Sequence, residues 1–255
     1  MKDVTPADWR FVLATDLDGT FLGGTTAMRR RLYDWIESNR DQVGLIYVTG
    51  RDPEFLPLIW DKGVPVPDYV VGDVGTTIAA VEGRRIAPIP TLEAEIAERW
   101  GDATSHVRAL LDSAPGLRPQ DTPFRYRMSY HYDPAAFDPG VIMPVEALGL
   151  DVLISHECYL DVLPRGVSKG PSLKRLMAHL GVAEEVMLVA GDTLNDLSLF
   201  QTGLAGAVVG GAEPALLEAV TALPRAHVCT APGAGGILEA IATHRLHPEP
   251  PEAHP

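Results

Sequence analysis

The stretch from Phe11 to Leu22 constrains this chain more than any other, because an apolar run leads directly into two acidic residues. Its first four residues carry no charge and no helical periodicity, which is typical of a strand buried on both faces. Asp16 and Asp18 follow, and carboxylates at the end of a buried strand are costly unless something there binds them. The alternative is an Asp-rich turn that merely closes the strand. Ligands of open α/β sheets bind at the carboxyl ends of the strands, so the sequence predicts a site here.

A second apolar strand, predicted over residues 43–48, ends in another polar loop. Thr49, Gly50 and Arg51 follow it, and Asp52 and Pro53 are suited to cap and open a helix that runs toward residue 62. A hydroxyl and backbone N–H groups before a helix form a ready site for an anion. A capped helix start with no ligand is the alternative. The position of the loop, one strand–helix unit after Asp16 and Asp18, favours phosphate binding.

A third strand is predicted over residues 68–72, and a second acidic loop follows a fourth, apolar strand. Residues 187–190 lead into Asp192, Asn195 and Asp196. Mg²⁺ binds a few carboxylate oxygens together with water and phosphate oxygens, so this loop, facing Asp16, predicts a magnesium site. Lys169 stands just before a predicted helix, where it is either an ordinary surface lysine or a partner of phosphate.

The order of the predicted elements indicates an α/β fold with an insertion. Strands and helices alternate over residues 1–84 and 165–247, as in a Rossmann-like core with a parallel sheet. A hairpin over 76–89, turning at 82–83, leads out of the core. Residues 85–164 then combine helices over 92–100 and 105–113 with strands over 124–132 and 151–163, the last turning near 156–157. This pattern predicts an inserted α+β cap domain. Residues 248–255 are rich in Pro, Glu and His and predict a flexible tail.

Composition narrows the possible partners. The net charge of −13 argues against nucleic acid and against anionic membranes. The first ten residues lack an apolar signal core and no long apolar run follows, so we expect a cytoplasmic protein. Cys158 and Cys229 are too few for a disulfide framework and predict buried free thiols. The glycines fit neither a phosphate loop of the GxxxxGK[ST] type nor a GxGxxG dinucleotide fingerprint, which argues against nucleotide triphosphates and NAD.

The four segments DLDGT, TGR, SKG and GDTLND occur in the order found in the haloacid dehalogenase-like (HAD) superfamily of phosphatases, which the chain resembles over nearly its whole length. This resemblance implies that Asp16 is a nucleophile that accepts the phosphoryl group. Asp18 would act as acid and base. Mg²⁺ would be bound by the side chains of Asp16 and Asp192 and by the backbone carbonyl of Asp18, with Asp196 reaching it through water. The residues expected to hold phosphate are Thr49, Gly50, Lys169 and Asn195.

The sequence YLDVLPRGVSKGPSLKRL resembles that of the sucrose-6-phosphate phosphatase-like branch, whose members carry a large α/β cap. The expected substrate is therefore a mono- or disaccharide phosphate. In the cap, Arg127 is a candidate for binding the sugar, although it could equally lie on a solvated strand face. Tyr126 and residues 155–157 differ from the sequence typical of that branch, which puts sucrose 6-phosphate itself in doubt. A phosphosugar mutase and an inactive sugar-phosphate-binding protein are the alternatives.

Overall fold

The computed structural model describes residues 5–122, 124–155 and 158–247. Its strands are β1 Phe11–Thr15, β2 Val43–Val48, β3 Tyr69–Gly72, β4 Thr77–Glu82, β5 Arg85–Pro88, β6 Leu117–Pro119, β7 Met128–Tyr132, β8 Leu150–Ser155, β9 Tyr159–Pro164, β10 Met187–Gly191, β11 Ala205–Gly210 and β12 Ala226–Pro232. Its α-helices are α1 Thr26–Ser38, α2 Pro57–Trp60, α3 Pro90–Trp100, α4 Ala103–Leu111, α5 Ile142–Glu146, α6 Lys169–Leu180, α7 Leu197–Phe200, α8 Pro214–Val220 and α9 Ala234–His244.

The larger sheet has eight strands in the order β12-β11-β10-β1-β2-β3-β4-β5. The run from β12 to β3 is parallel, and β4 and β5 add an antiparallel edge. The chain leaves β1 on one side for β2 and later returns on the other side with β10. Such a change of direction opens a crevice at the carboxyl ends of the two neighbouring strands. Because β1 is central, its end lies in this crevice.

Alternate residues of β1 enter two different cores. Val12 and Ala14 pack with apolar residues of α6, whereas Phe11 and Leu13 pack with residues of α1 and α9. The sheet is therefore covered by helices on both faces, which explains why the β1 sequence is apolar throughout. This arrangement confirms the predicted α/β class with a parallel-rich sheet.

The edge strand β5 lies in the larger sheet, paired with β4 in an antiparallel register. The predicted boundary at residue 84 assigned these residues to the cap, and the predicted hairpin was expected to lead out of the core. The hairpin forms with its turn at the predicted place, but both of its strands extend the core sheet, and the chain leaves that sheet only after Pro88.

A second sheet, β6-β7-β9-β8, is antiparallel and packs with α4 and α5 around its own apolar core. We call residues 90–164, which contain this sheet, the insert. The predicted strand over 124–132 begins only at Met128, and neither β6 nor α5 was predicted. The turn expected at residues 156–157, like the tail at 248–255, lies outside the described residues.

The helix expected from Asp52 to residue 62 is broken. Asp52 does cap it, accepting a hydrogen bond from the Glu54 backbone N–H, but only a short 3₁₀ turn follows before α2. Pro57 has no backbone N–H and cannot continue the hydrogen-bonding of one regular helix. Cys229 is buried as predicted, whereas Cys158 is exposed. Within the described ranges, no helix is long and apolar enough to cross a membrane.

Candidate active site

Asp16 and Asp18 stand immediately after β1, and both line a cavity of about 360 Å³ between the core and the insert. Their environments differ sharply. Asp16 is 7% exposed, and its backbone N–H donates to the Ala190 carbonyl of the neighbouring strand. Asp18 is exposed, and its carboxylate accepts two hydrogen bonds from Arg51, at 2.6 and 2.7 Å. One carboxylate is thus fixed in the floor of the cavity and the other stands at its open side.

Gly19 allows the two acidic loops to approach each other. Its φ is +78°, and a Cβ placed there would lie 2.1 Å from a carboxylate oxygen of Asp192. Only glycine fits both conditions. The next residue, Thr20, is buried and donates its hydroxyl hydrogen to Asp192 Oδ1 over 2.7 Å. The DLDGT segment therefore positions both its own carboxylates and that of Asp192.

Lys169 joins the acidic loops from the start of α6. Its side chain is fully buried, and its Nζ donates to Asp16 Oδ1 at 2.7 Å and to Asp196 Oδ1 at 2.5 Å. It also donates to Asn195 Oδ1 at 2.8 Å. The surface-lysine interpretation is therefore wrong, and Lys169 is the charged centre of the cluster.

Burial and neighbouring charges shift the pKa values of this cluster in opposite directions. Burial raises the pKa of Asp16 well above that of a free carboxyl, although the Lys169 ammonium beside it opposes the rise. Burial alone would lower the pKa of Lys169, but Asp16 and Asp196 outweigh it and raise that pKa. Lys169 thus remains an ammonium, and the negative charge around it is held in a site with little water.

Asp16, Asp192 and Asp196 have carboxylate oxygens within 4.8 Å of one another. An all-oxygen set of this kind suits Mg²⁺. The three residues are not equivalent. Asp196 uses Oδ1 for Lys169 and Oδ2 for the backbone N–H groups of Asp192 and Thr193, at 3.0 and 3.1 Å. Its carboxylate therefore organises the acidic loop as well as facing the cluster.

The cavity also has a wall from the loop after β2 and another from the insert. Thr49, Gly50 and Arg51 line it from the core, as do Thr193 and Asn195. From the insert, the polar lining residues are Gln120, Arg127, His131, Ser155, Tyr159 and Asp161. Every residue predicted for the site lines this cavity or lies in the acidic cluster beneath it.

Arg127 is 5% exposed, so the interpretation of a solvated strand face is wrong. It precedes β7, and its guanidinium donates to Asp161 within the insert at 3.1 Å. It also donates to two core groups, the Gly50 carbonyl at 3.1 Å and Asp73 at 3.3 Å. Whether it also contacts a sugar stays a prediction.

The family model for sucrose-6F-phosphate phosphohydrolase matches residues 9–245. The chain belongs to this family. It is thus a member of the HAD superfamily, as the four motifs predicted. The solved sucrose-phosphatase of Synechocystis, in complex with sucrose and phosphate, has 29% identity and a TM-score of 0.83, with 93% of this chain and 98% of that one covered.

Two curated relatives add different information. A glucosylglycerol-phosphate synthase of Pseudomonas anguilliseptica is 42% identical over 233 residues, which cover 90% of this chain but only 30% of that protein. A mannosylfructose-phosphate phosphatase of Agrobacterium fabrum is 27% identical, with 93% of this chain and 98% of that protein covered. The chain thus spans less than a third of the synthase and nearly all of the phosphatase.

Sequence reasoning missed several residues that shape the site. Thr20 and Arg51 lay inside recognised motifs but had no assigned role. Asp161 interrupts an apolar strand and lies opposite Ser129 in the β7–β9 register, a signal that could have been noticed. Glu213 accepts a hydrogen bond from the Leu194 backbone N–H at 2.7 Å. No local pattern indicated that contact, because the two elements meet only in the folded chain.

Proposed function

We propose that this protein is a Mg²⁺-dependent phosphatase that hydrolyses the phosphate monoester of a glycoside through an aspartyl-phosphate. The observation that carries the proposal is the cavity, which has Asp16 in its floor, Lys169 and the acidic cluster directly beneath, and polar side chains of the insert opposite. We further propose that the insert serves as the cap of the enzyme. The floor accounts for the phosphate, and the insert supplies groups for the rest of the substrate.

Asp16 is the proposed nucleophile. Lys169 binds its Oδ1 and so fixes the orientation of the carboxylate. A carboxylate oxygen of Asp16 forms a bond to phosphorus while the bond from phosphorus to the sugar oxygen breaks. Asp18, which must first release Arg51 and take up a proton from solvent, gives that proton to the leaving oxygen. Asp18 then takes a proton from water as the water oxygen attacks phosphorus. The bond to Asp16 breaks, and inorganic phosphate is released.

The oxygen ligands fit Mg²⁺, which when bound would neutralise charge between the nucleophile and the phosphate. Asp16 and Asp192 would hold it through side chains and Asp18 through its backbone carbonyl. Asp196 would reach it through water, because both its carboxylate oxygens already accept hydrogen bonds. Lys169, Asn195 and the Thr49–Gly50 loop would hold the phosphate oxygens.

The substrate class follows from what the relatives share. The names of two relatives specify glucosylglycerol phosphate and mannosylfructose phosphate, and the family model is named for sucrose-6F-phosphate; each is a glycoside with a phosphate on it. We propose a glycosylated polyol or disaccharide phosphate, with glucosylglycerol phosphate as the first candidate. The matched part of the synthase would then act on the product that the protein is named for making.

The test is phosphate release from glucosylglycerol phosphate, mannosylfructose phosphate, sucrose 6-phosphate and p-nitrophenyl phosphate, each with Mg²⁺ and with EDTA. We expect turnover only with Mg²⁺ and a preference among the three glycosides. Asp16→Asn should abolish turnover while the fold persists, since the amide keeps the shape but is not a nucleophile. Asp18→Asn should slow the chemical step in single-turnover experiments.

The same experiment separates the other functions. Conversion of a sugar phosphate to its isomer without phosphate release, dependent on a bisphosphate, would identify a mutase. Binding of sugar phosphates without any turnover in Mg²⁺ would identify an inactive binding protein. Undiminished turnover by Asp16→Asn would remove Asp16 from the role of nucleophile.

A further inference from the structure

Arg127 connects the insert to the core through a buried guanidinium. On the insert side it donates to Asp161, which also accepts the Ser129 hydroxyl hydrogen. On the core side one nitrogen, Nη2, donates to both the Gly50 carbonyl and Asp73. The Phe124 ring lies against the guanidinium at 3.9 Å. Both terminal nitrogens are thus bound by protein groups, and Nε is buried without a hydrogen-bond partner among the described residues, so no nitrogen of the guanidinium is presented to a sugar.

The core partners of Arg127 belong to one packed unit, the loop after β2 and the turn after β3. The backbone N–H of Asp73 donates to the Arg51 carbonyl at 3.0 Å, and that of Val74 donates to the Thr49 carbonyl at 3.2 Å. The Gly50 carbonyl between those two acceptors is the one that Arg127 binds. The segment from Thr49 to Arg51 is proposed to hold phosphate. All three of its backbone carbonyls therefore accept hydrogen bonds, which fix the segment in place.

The turn that supports this segment is strained. Asp73 and Val74 have φ of +52° and +57°, in the left-handed region that a β-branched valine adopts only rarely. Such a conformation persists where surrounding contacts hold it. The Asp73 carboxylate is held on both oxygens, Oδ1 by Arg127 and Oδ2 by the Thr77 hydroxyl at 2.7 Å. Arg127 thus supplies one of the contacts that hold the strained turn.

We propose that Arg127 is a positioning residue, which orders the phosphate-binding loop when the insert is seated on the core, and not a residue that binds the sugar. The proposal rests on the proposed function and changes the role first expected for Arg127. Its consequence is that the insert contributes to phosphate affinity itself. A phosphate ester without any sugar should depend on Arg127 as strongly as a glycoside phosphate does.

The test compares Arg127→Ala, Arg127→Lys and Asp73→Asn with the parent protein. The probes are p-nitrophenyl phosphate, the best glycoside phosphate and inorganic phosphate as a competitive inhibitor. We expect kcat/KM to fall by about tenfold or more for both substrates by the same factor, and inhibition by inorganic phosphate to weaken similarly. Arg127→Lys should not restore the kcat/KM of the parent protein, because one ammonium cannot bind Asp161, Gly50 and Asp73 together.

The double variant of Arg127→Ala and Asp73→Asn should be within about twofold of Arg127→Ala alone, because the two residues act on one loop. Arg118→Ala, an exposed arginine on β6, is the matched control and should leave all three measurements unchanged. Should Arg127→Ala fail to fold, Asp73→Asn and Arg127→Lys still test the proposal.

Three results would overturn it. A loss confined to the glycoside phosphate would make Arg127 a sugar-binding residue. Unchanged kinetics with a lower melting temperature would make it a structural residue only. Additive losses in the double variant would show that Arg127 and Asp73 act separately. If the parent protein released no phosphate from any ester, the proposed function would fail first, and inhibition could not be measured; phosphate binding by calorimetry would then be the readout.

Discussion

Replacing Lys169 by methionine gives the most direct test of the charged cluster. Methionine keeps much of the length and volume of the side chain but removes the ammonium that binds Asp16 and Asp196. Both carboxylates are buried, so neither can recover water in exchange. Removal of one partner of a buried ion pair costs about 3–5 kcal/mol, much of it because the other charge is left uncompensated.

For a chain of this size, each kcal/mol shifts the melting temperature by roughly 2–4 °C, so we expect a decrease of roughly 6–20 °C in EDTA. Mg²⁺ should restore part of the loss, because it supplies positive charge to the same oxygens. Activity should not return. Lys169 also holds Asp16, the proposed nucleophile, in place, and we expect kcat/KM to fall at least about a hundredfold, which corresponds to about 2.7 kcal/mol.

The matched control is Lys174→Met on the same helix. Lys174 pairs with Glu184, but the two side chains are 34% and 52% exposed. A pair of this kind contributes less than about 1 kcal/mol. Thermal and urea unfolding of both variants, with Mg²⁺ and with EDTA, would decide the question. The reasoning is refuted if Lys169→Met is no less stable than Lys174→Met, or if it retains parental kcat/KM.

Two further predictions concern residues away from the site. Burial alone would raise the pKa of Glu239, but hydrogen bonds from the backbone N–H groups of Ala231 and Thr230 lower it below its ordinary value. The ionised carboxylate therefore stabilises the fold above the pKa of a free glutamate and loses this effect as the pH falls through the folded value. Relative to Glu239→Gln, urea unfolding should show an advantage of about 1–2 kcal/mol at neutral pH that disappears in acid; a constant difference would contradict this. Burial also raises the pKa of Cys229 to about 12, whereas Cys158 is exposed, so the native protein should react quickly with one equivalent of a thiol reagent, and Cys158→Ser should abolish that fast reaction.

The parts predicted well are those that short stretches determine. An apolar run of four or five residues specifies a strand buried on both faces, and a polar loop after it specifies the edge at which ligands bind. Asp16, Thr49 and Asp192 each follow such a strand, and the structure brings their loops together. Their proximity follows from parallel pairing alone, because parallel strands have their carboxyl ends at one edge.

The parts predicted badly depend on contacts between distant segments. The β4–β5 hairpin was recognised, but nothing local indicates whether a hairpin extends the core sheet or begins the insert. Arg127 is separated from Asp73 by more than fifty residues, and its burial results from the insert meeting the core. From the sequence, an arginine among aromatic residues is interpreted as solvated or as ligand-binding. Its third possible role, a buried contact between the insert and the core, can be recognised only when the residues it contacts are known.

The charge of the acidic cluster bears on how an acidic protein could bind a negatively charged phosphate substrate. The Lys169 ammonium pairs with Asp16 and Asp196, and the Asp192 carboxylate lies within 4.8 Å of both, so these four groups have an excess of two negative charges when all are ionised. Burial raises the pKa of Asp16, so without a metal the protein can relieve this excess by protonating that carboxyl. A protonated carboxyl is a poor nucleophile. In the proposed mechanism a divalent cation would remove the same excess without consuming the nucleophile, and the positive charge of Lys169 would then be available to phosphate. In that proposed mechanism the metal is therefore a condition for both steps, binding the substrate and attacking it.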